Sequence, residues 1–268
     1  MGPRIHYRPW LRGAVRLAGR GWCTARDVVF PPRCAFCEAD LGETSDELPL
    51  CEACRCRLAP ARWPCCPRCG GGGCFPEGAV PEGASVRCDL CKAVSLKFER
   101  AIPLGAYQGD LRSAVLRMKR PSGEPLSAVM GRVLGRQRRR ELLRFRADLV
   151  VPIPMFWARR VRRGTNSAEI LAESVASALG LSACVGVLIR RRNTLPQADL
   201  APRERFRNVR GAFRLKPGYN FNGLRVLLVD DILTTGATCS EAAWTLRQAG
   251  AAAVAAAVVA RAQGVDKA

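Results

Sequence analysis

Residues 226–238 read Val226-Leu227-Leu228-Val229-Asp230-Asp231-Ile232-Leu233-Thr234-Thr235-Gly236-Ala237-Thr238. The four aliphatic residues at the start predict a buried strand, which the two acids end. A short loop of threonine and glycine follows, and residues 240–249 predict a helix that Gly250 stops. This order of strand, loop and helix directs backbone N–H groups and the positive end of a helix dipole toward an anion. The stretch therefore predicts a phosphate site.

The two acids beside this phosphate site limit what the ligand can be. A carboxylate repels a phosphate, but a pair of carboxylates accepts hydrogen bonds from two adjacent sugar hydroxyls. A ribose 5′-phosphate satisfies both requirements, and the stretch resembles the phosphoribosyl pyrophosphate (PRPP) loop of type I phosphoribosyltransferases. Asp230 and Asp231 are then the candidate catalytic pair, and the phosphate contacts are Thr234, Thr235, Gly236, Ala237 and Thr238. The alternative is a strand that ends in a solvated Asp-Asp turn.

Length and charge restrict the class of protein. The chain has 268 residues, of which 48% are hydrophobic, and this composition is typical of a globular protein with a buried core. A net charge of +20 favours a polyanionic partner, which can be nucleic acid, an anionic membrane or a phosphorylated substrate. No run reaches the roughly 18 apolar residues of a membrane span. Residues 1–32 mix apolar residues with arginines, which predicts an amphipathic segment and not a secretion signal, so we expect a cytoplasmic protein.

Cysteines mark a separate region near the amino terminus. Twelve of the 14 cysteines lie between Cys23 and Cys91, and eight of these form four Cys-x2-Cys pairs. Two such pairs supply the four thiolates of a tetrahedral Zn²⁺ site, so residues 33–95 predict a double zinc ribbon. A disulfide scaffold, interleaved pairing, and ligation by Cys56, Cys65 or Cys74 are the alternatives. The predicted ligands are Cys34, Cys37, Cys51, Cys54, Cys66, Cys69, Cys88 and Cys91.

The remainder of the chain, residues 96–265, alternates strand and helix patterns. Apolar runs predict strands at 102–107, 148–153, 185–189 and 252–260, and helical periodicity predicts helices at 111–118, 126–143 and 167–179. Strands that alternate with helices form a parallel sheet, which binds ligands at the carboxyl ends of its strands. We therefore predict an α/β domain with the acid pair at that edge.

Three basic segments are further candidates for the predicted site. Arg159 and Arg160 follow a strand end and are candidates for pyrophosphate binding, and Lys119 precedes a Pro-Ser-Gly turn. The long basic connection at 190–210 predicts either a lid over the site or a helix with solvated charges. We take Lys119, Arg159 and Arg160 as PRPP-binding candidates, with solvated side chains as the alternative.

The motifs together resemble the ComF family, phosphoribosyltransferase-like proteins associated with DNA-uptake competence. The chain departs from the family pattern at Thr165 and Ser167, where members usually have Phe and Gln. Besides the paired cysteine ribbons and the acid stretch, the resemblance rests on Val151-Pro152-Ile153-Pro154, Arg163-Gly164-x-Asn166, Thr194-x-x-Gln197-x-x-Leu200 and Glu204-Arg205-x-x-Asn208-x-x-Gly211-Ala212-Phe213.

This resemblance implies a type I phosphoribosyltransferase fold, Mg²⁺ bound with PRPP, and handling of single-stranded DNA. It also implies a DNA-uptake helicase or translocase as a partner. Two functions follow from it. One is an enzyme that transfers phosphoribose from PRPP to an unknown acceptor. The other is a non-catalytic competence factor that binds single-stranded DNA through the basic surfaces at 136–146, 159–163 and 190–210 and uses PRPP as a regulator.

Overall fold

A computed structural model describes residues 32–42, 48–59, 64–72, 88–92, 94–195, 197 and 200–262. The predicted amphipathic segment before residue 32, Cys23 and Cys74 lie outside the described residues. Two short helices belong to the cysteine-rich region, α1 (Glu52–Leu58) and α2 (Asp89–Lys92). Among the helices of the described ranges, none has the length and apolarity that crossing a membrane requires.

Five parallel strands form the central sheet, and this confirms the predicted α/β architecture. The two longest strands lie in its middle, because their alternating aliphatic residues are buried on both faces of the sheet. Across the sheet the order is β1 (Arg100–Ala106), β7 (Ala253–Arg261), β6 (Arg225–Leu233), β2 (Leu149–Pro152) and β3 (Ser182–Ala183).

Alternate residues of β6 and β7 face two different layers, as the two-residue period of a strand requires. Leu227 and Val229 pack with the first cysteine-rich ribbon and with helices on one side. Val226 and Leu228 pack with the helix Ala237–Gln248 and with the second ribbon, which contains Cys66 and Cys91, on the other side. The helices that follow α2 are α3 (Gly109–Met118), α4 (Glu124–Gln137), α5 (Arg139–Phe145), α6 (Trp157–Arg163), α7 (Ser167–Leu179), α8 (Pro202–Val209) and α9 (Ala237–Gln248).

The predicted helix at 126–143 is wrong, because the structure has two helices, α4 and α5, that meet at Arg138. The guanidinium of Arg138 is buried and donates to the carbonyl oxygens of Pro103 at 3.1 Å and Leu104 at 2.6 Å. These bonds satisfy carbonyl groups of β1, and the chain turns at this residue to make them.

Two strand predictions also need correction. Residues 185–189 do not join the parallel sheet. Instead β4 (Leu188–Arg190) pairs antiparallel with β5 (Phe213–Leu215) in a separate ribbon. Strand β6 does not end at the acids but continues through Asp230 and Asp231 to Leu233, paired with β7. The acid pair therefore lies inside a strand, and its two side chains point to opposite faces.

Candidate functional site

Asp231 lies on the face of β6 that packs against α3 and α7. Its carboxylate is 7% exposed and accepts a hydrogen bond from Ser167 Oγ at 3.3 Å. Lys119 Nζ, just after the end of α3, is 3.4 Å from Asp231 Oδ2. A hydroxyl group and a cation thus hold Asp231 in one orientation.

Asp230 faces the opposite layer. One of its carboxylate oxygens accepts the backbone N–H of Asp231 at 2.9 Å. Burial, and next the negative charge of Asp231, raise the pKa of Asp230 to about 8, although Lys119 and Arg190 lower it in part. At neutral pH the unliganded acid pair therefore keeps one proton, which has to leave when a ligand requires two carboxylates.

The phosphate loop, residues 234–238, joins β6 to α9 through a tight turn. Gly236 has a φ of 84°, and a Cβ at this position would lie 3.0 Å from Leu96 Cδ2. Glycine is required here for both reasons. Thr235 Oγ1 accepts the backbone N–H of Ala237 at 3.4 Å where α9 begins, and the three threonines of the loop are partly exposed. The loop thus combines reachable hydroxyls with the first N–H groups of a helix, which is the geometry that binds phosphate.

A second group of cations adjoins this site, centred on Thr194. Arg159 of α6 donates to the carbonyl oxygen of Thr194, and Arg190 of β4 donates to its hydroxyl. Burial, and next the charge of Arg159, lower the pKa of Arg190, which lies over the ring of Phe213 at 5.5 Å. The Nε of Arg190 is buried and has no hydrogen-bond partner within the described residues. Two adjacent guanidinium groups, one of them incompletely bonded, favour a bound anion.

The three basic candidates therefore differ in position. Lys119 contacts Asp231, and Arg159 belongs to the Thr194 group. Arg160 instead forms an ion pair with Glu169 of α7. Its contact with PRPP stays a prediction, since the guanidinium would first have to leave this carboxylate.

Eight cysteines form two compact groups. The first cluster is Cys34, Cys37, Cys51 and Cys54, and the second is Cys66, Cys69, Cys88 and Cys91. Within each group the sulfur atoms lie within 4.8 Å of one another, so each could hold one structural zinc ion. The sequential pairing is the one that forms, and Cys56 and Cys65 belong to neither group. All twelve cysteines that the structure describes are free thiols, which argues against the disulfide scaffold.

Known proteins resemble this chain in sequence. The family model of the phosphoribosyl transferase domain matches residues 164–267, which include the acid pair and the phosphate loop. The DNA utilization protein YhgH of Salmonella typhi is 31% identical over 214 residues, which cover 76% of this chain and 93% of the relative. The chain belongs to the ComF family.

Another relative within the ComF family is competence protein F of Haemophilus influenzae, 26% identical over 222 residues, or 81% of this chain and 92% of that protein. The glutamine PRPP amidotransferase of B. subtilis, solved with ADP and GMP, is 24% identical over 54% of this chain and 30% of its own, with a TM-score of 0.37. The parallel sheet, the matched domain and the cysteine clusters give this ComF protein the predicted fold, a phosphoribosyltransferase domain preceded by a double zinc ribbon.

The structure adds residues that the sequence did not single out for the site. Ser167 departs from the ComF pattern, yet its hydroxyl touches Asp231. Arg190 was recognised only as part of a basic connection and Thr194 as part of a ComF motif, whereas the structure joins both to Arg159. Arg190 ends β4 and Thr194 lies four residues later, so their position at a strand end was the signal that could have indicated them.

Proposed function

We propose that this protein is a phosphoribosyltransferase that binds PRPP and transfers its phosphoribosyl group to an acceptor. The observation that carries the proposal is the end of β6, where Asp230 and Asp231 lie next to a threonine-rich loop and a helix amino terminus. A phosphate and two neighbouring hydroxyls are the ligand groups that this combination accepts.

In this proposal the phosphate loop binds the 5′-phosphate through its backbone N–H groups and the hydroxyls of Thr234, Thr235 and Thr238. The acid pair accepts hydrogen bonds from the ribose hydroxyls. Ser167 and Lys119 keep Asp231 oriented, as their contacts with its Oδ2 support. Because Asp230 holds a proton near neutral pH, PRPP binding should release that proton.

The diphosphate of PRPP would lie toward α6, next to Arg159 and Arg190, with Arg160 as a further candidate. The buried, incompletely bonded guanidinium of Arg190 supports this direction. Asp230 and Asp231 would be the carboxylates nearest to a Mg²⁺ ion bound with PRPP, and that ion would supply positive charge for the leaving diphosphate.

In the transfer, the bond between ribose C1 and the diphosphate oxygen breaks and an acceptor nucleophile bonds to C1. The diphosphate leaves with the bonding electrons, and the acceptor loses a proton. The protein positions the ribose and surrounds the separating charges, so rate enhancement comes from orientation and electrostatics and requires no side-chain nucleophile. The acceptor stays unassigned.

A screen for diphosphate release tests this function, with PRPP, Mg²⁺ and a panel of bases and nucleotides as acceptors. Release that depends on one acceptor, and that is lost in Asp230→Asn plus Asp231→Asn, is the expected result. Calorimetric titration with PRPP should show binding even without an acceptor. A wild-type protein that binds no PRPP would refute the proposal, and one that binds PRPP but turns over no acceptor would favour a regulatory site.

One observation favours a second candidate function, the binding of single-stranded DNA. Helix α6 buries none of its side chains and exposes Trp157 and Val161 among four arginines. An exposed aromatic ring with arginines around it can stack a base and neutralise phosphates. The names of the YhgH and competence protein F relatives also support DNA handling. In this role the protein would act in the cytoplasm with a DNA-uptake helicase or translocase.

A further inference from the structure

Arg261, the last residue of β7, connects three parts of the molecule. The side chain is 5% exposed, and its Nε donates to the carbonyl oxygen of Cys69 at 2.9 Å. Its Nη1 donates to the carbonyl oxygens of Leu233, at 3.1 Å, Thr234 and Ala262. One guanidinium thus joins a turn of the second cysteine cluster to the start of the phosphate loop.

Other contacts join the same two regions. The segment that follows the second cluster packs Leu96 and Phe98 against Gly236, within 3.0 and 3.5 Å of the position that a Cβ would take. The backbone N–H of Lys97 donates to Ser240 Oγ, in the first turn of α9, at 3.0 Å. The phosphate loop therefore rests on the second ribbon.

The direction of these bonds matters for anion binding. Arg261 engages carbonyl oxygens on one side of the loop, and a phosphate requires the N–H groups on the other side. A peptide whose carbonyl is held by a buried guanidinium presents its N–H in a fixed direction, which reduces the ordering that ligand binding would otherwise require.

We propose that Arg261 is a positioning residue for the phosphate loop and that it makes the loop depend on the second cysteine cluster. The identity of the ligand rests on the proposed function, but the coupling itself does not. A zinc ion in the second cluster would fix the turn that presents the Cys69 carbonyl. Through its hydrogen bonds to this carbonyl and to that of Thr234, Arg261 would then restrain Thr234. The first cluster has no such connection to the loop within the described residues.

Hydrogen exchange of the full-length protein, read by mass spectrometry for residues 234–240, tests the coupling without PRPP. The variants are Arg261→Met, the conservative Arg261→Lys, and Cys88→Ser plus Cys91→Ser in the second cluster. Cys51→Ser plus Cys54→Ser is the matched cluster control. Arg138→Met is the matched arginine control, because Arg138 is also buried and also donates to two carbonyl oxygens, but those belong to β1.

We expect faster exchange at 234–240 in Arg261→Met and in the second-cluster variant, an intermediate rate in Arg261→Lys, and no change in either control. Combining Arg261→Met with the second-cluster change should give less than the sum of the two separate effects, because both break the connection through Arg261. PRPP affinity should fall about tenfold in the same variants, the effect of losing one charged hydrogen bond.

Additive effects on exchange, or an unchanged loop in Arg261→Met, would overturn the coupling. If Arg261→Met does not fold, the Arg261→Lys variant decides, since its ammonium cannot span the Cys69 and Thr234 carbonyls together, and unchanged exchange there also overturns the proposal. Wild-type protein that binds no PRPP would refute the proposed function while the exchange experiment still decides the coupling.

Discussion

Two connections leave neighbouring strands at the same edge of the sheet, and they differ in how firmly they are held. The phosphate loop after β6 is fixed by Arg261, by Leu96 and by the close packing of Gly236. Helix α6, which four residues separate from the end of β2, has no buried residue, and Trp157 is 68% exposed. Both regions are suited to anions, but only the first is constrained in shape.

This difference separates two kinds of recognition. A fixed loop with oriented N–H groups and carboxylates selects one small molecule by its geometry. An exposed helix with arginines and an aromatic ring binds a polyanion of many sequences, because charge and stacking tolerate variation. Except at Arg159 and Arg160, the PRPP candidates of α6, variants in one region should therefore leave the other ligand almost unaffected.

The largest effect is expected from Asp230→Asn plus Asp231→Asn. Each change removes a charged acceptor for a ribose hydroxyl, so PRPP affinity should fall about 100-fold or more. Lys119→Ala should lower PRPP affinity only about tenfold, because Lys119 orients Asp231 and does not contact the ribose. Calorimetric titration with PRPP and Mg²⁺ measures both. Affinity for single-stranded DNA, measured by fluorescence anisotropy, should stay the same or rise, since two negative charges are lost. Unchanged PRPP affinity in the double variant would remove the acid pair from the site.

A smaller effect should follow Trp157→Ala. Loss of one stacking platform should weaken single-stranded DNA about tenfold, with PRPP affinity unchanged. Trp244→Ala is the matched control, because Trp244 is also exposed, at 45%, but lies on α9. The salt dependence should separate charge from stacking, since Arg162→Gln lowers the slope of log affinity against log salt by about 0.7 and Trp157→Ala leaves it unchanged. Equal losses in both tryptophan variants would contradict a specific role for α6.

The local motifs were predictable from the sequence because each depends on residues close together in the chain. The acid pair, the phosphate loop and the sequential cysteine pairing follow from short spacings, and helix α7 has the predicted bounds with Asn166 accepting the N–H of Ala168 at its start. The α/β alternation likewise predicted a parallel sheet.

The contacts that shape the site could not be predicted, because they join residues that lie far apart in sequence. Arg261 bonds to Cys69, 192 residues away, and Ser167 bonds to Asp231 across 64 residues. The break at Arg138 is another example, since its cause is a pair of carbonyl groups in β1. The only sign in the sequence of β7 was Arg261 itself, a single arginine at the end of a strand of alanine and valine, which indicates that β7 ends next to polar groups.

The two adjacent arginines of α6 allow a finer test of the boundary between the regions. Arg159 belongs to the Thr194 group, whereas Arg160 is paired with Glu169. We therefore expect Arg159→Gln to weaken PRPP binding several-fold more than Arg160→Gln does, because only Arg160 has to break an ion pair first. Both variants should weaken DNA binding equally, because each removes one positive charge. Equal losses of PRPP affinity would instead mean that Arg160 leaves Glu169 when PRPP binds.

Stability should also depend on the proton of Asp230. Its pKa is about 8 in the folded protein, against an ordinary value of 3.8, so between these values the folded state binds one proton more than the unfolded state does. The stability that this proton contributes is complete below about pH 4 and is lost as the pH rises toward 8. Asp230→Asn cannot ionise and avoids this loss. Its Tm should therefore exceed that of the wild type by an amount that grows from pH 5 to pH 8, with each kcal/mol worth roughly 2–4 °C in a domain of this size.

Thermal unfolding across this pH range is the measurement, and Asp148→Asn is the control, because Asp148 lies at the opposite end of the sheet and accepts the N–H of Arg225 at 2.7 Å. A Tm difference that stays constant with pH would mean that the acid pair is fully ionised without ligand. A growing difference, together with weaker PRPP binding by Asp230→Asn, would mean that the buried carboxylate is kept for the ligand at the expense of stability. Arg162 of α6 is exposed, so its substitution should leave the Tm unchanged at every pH.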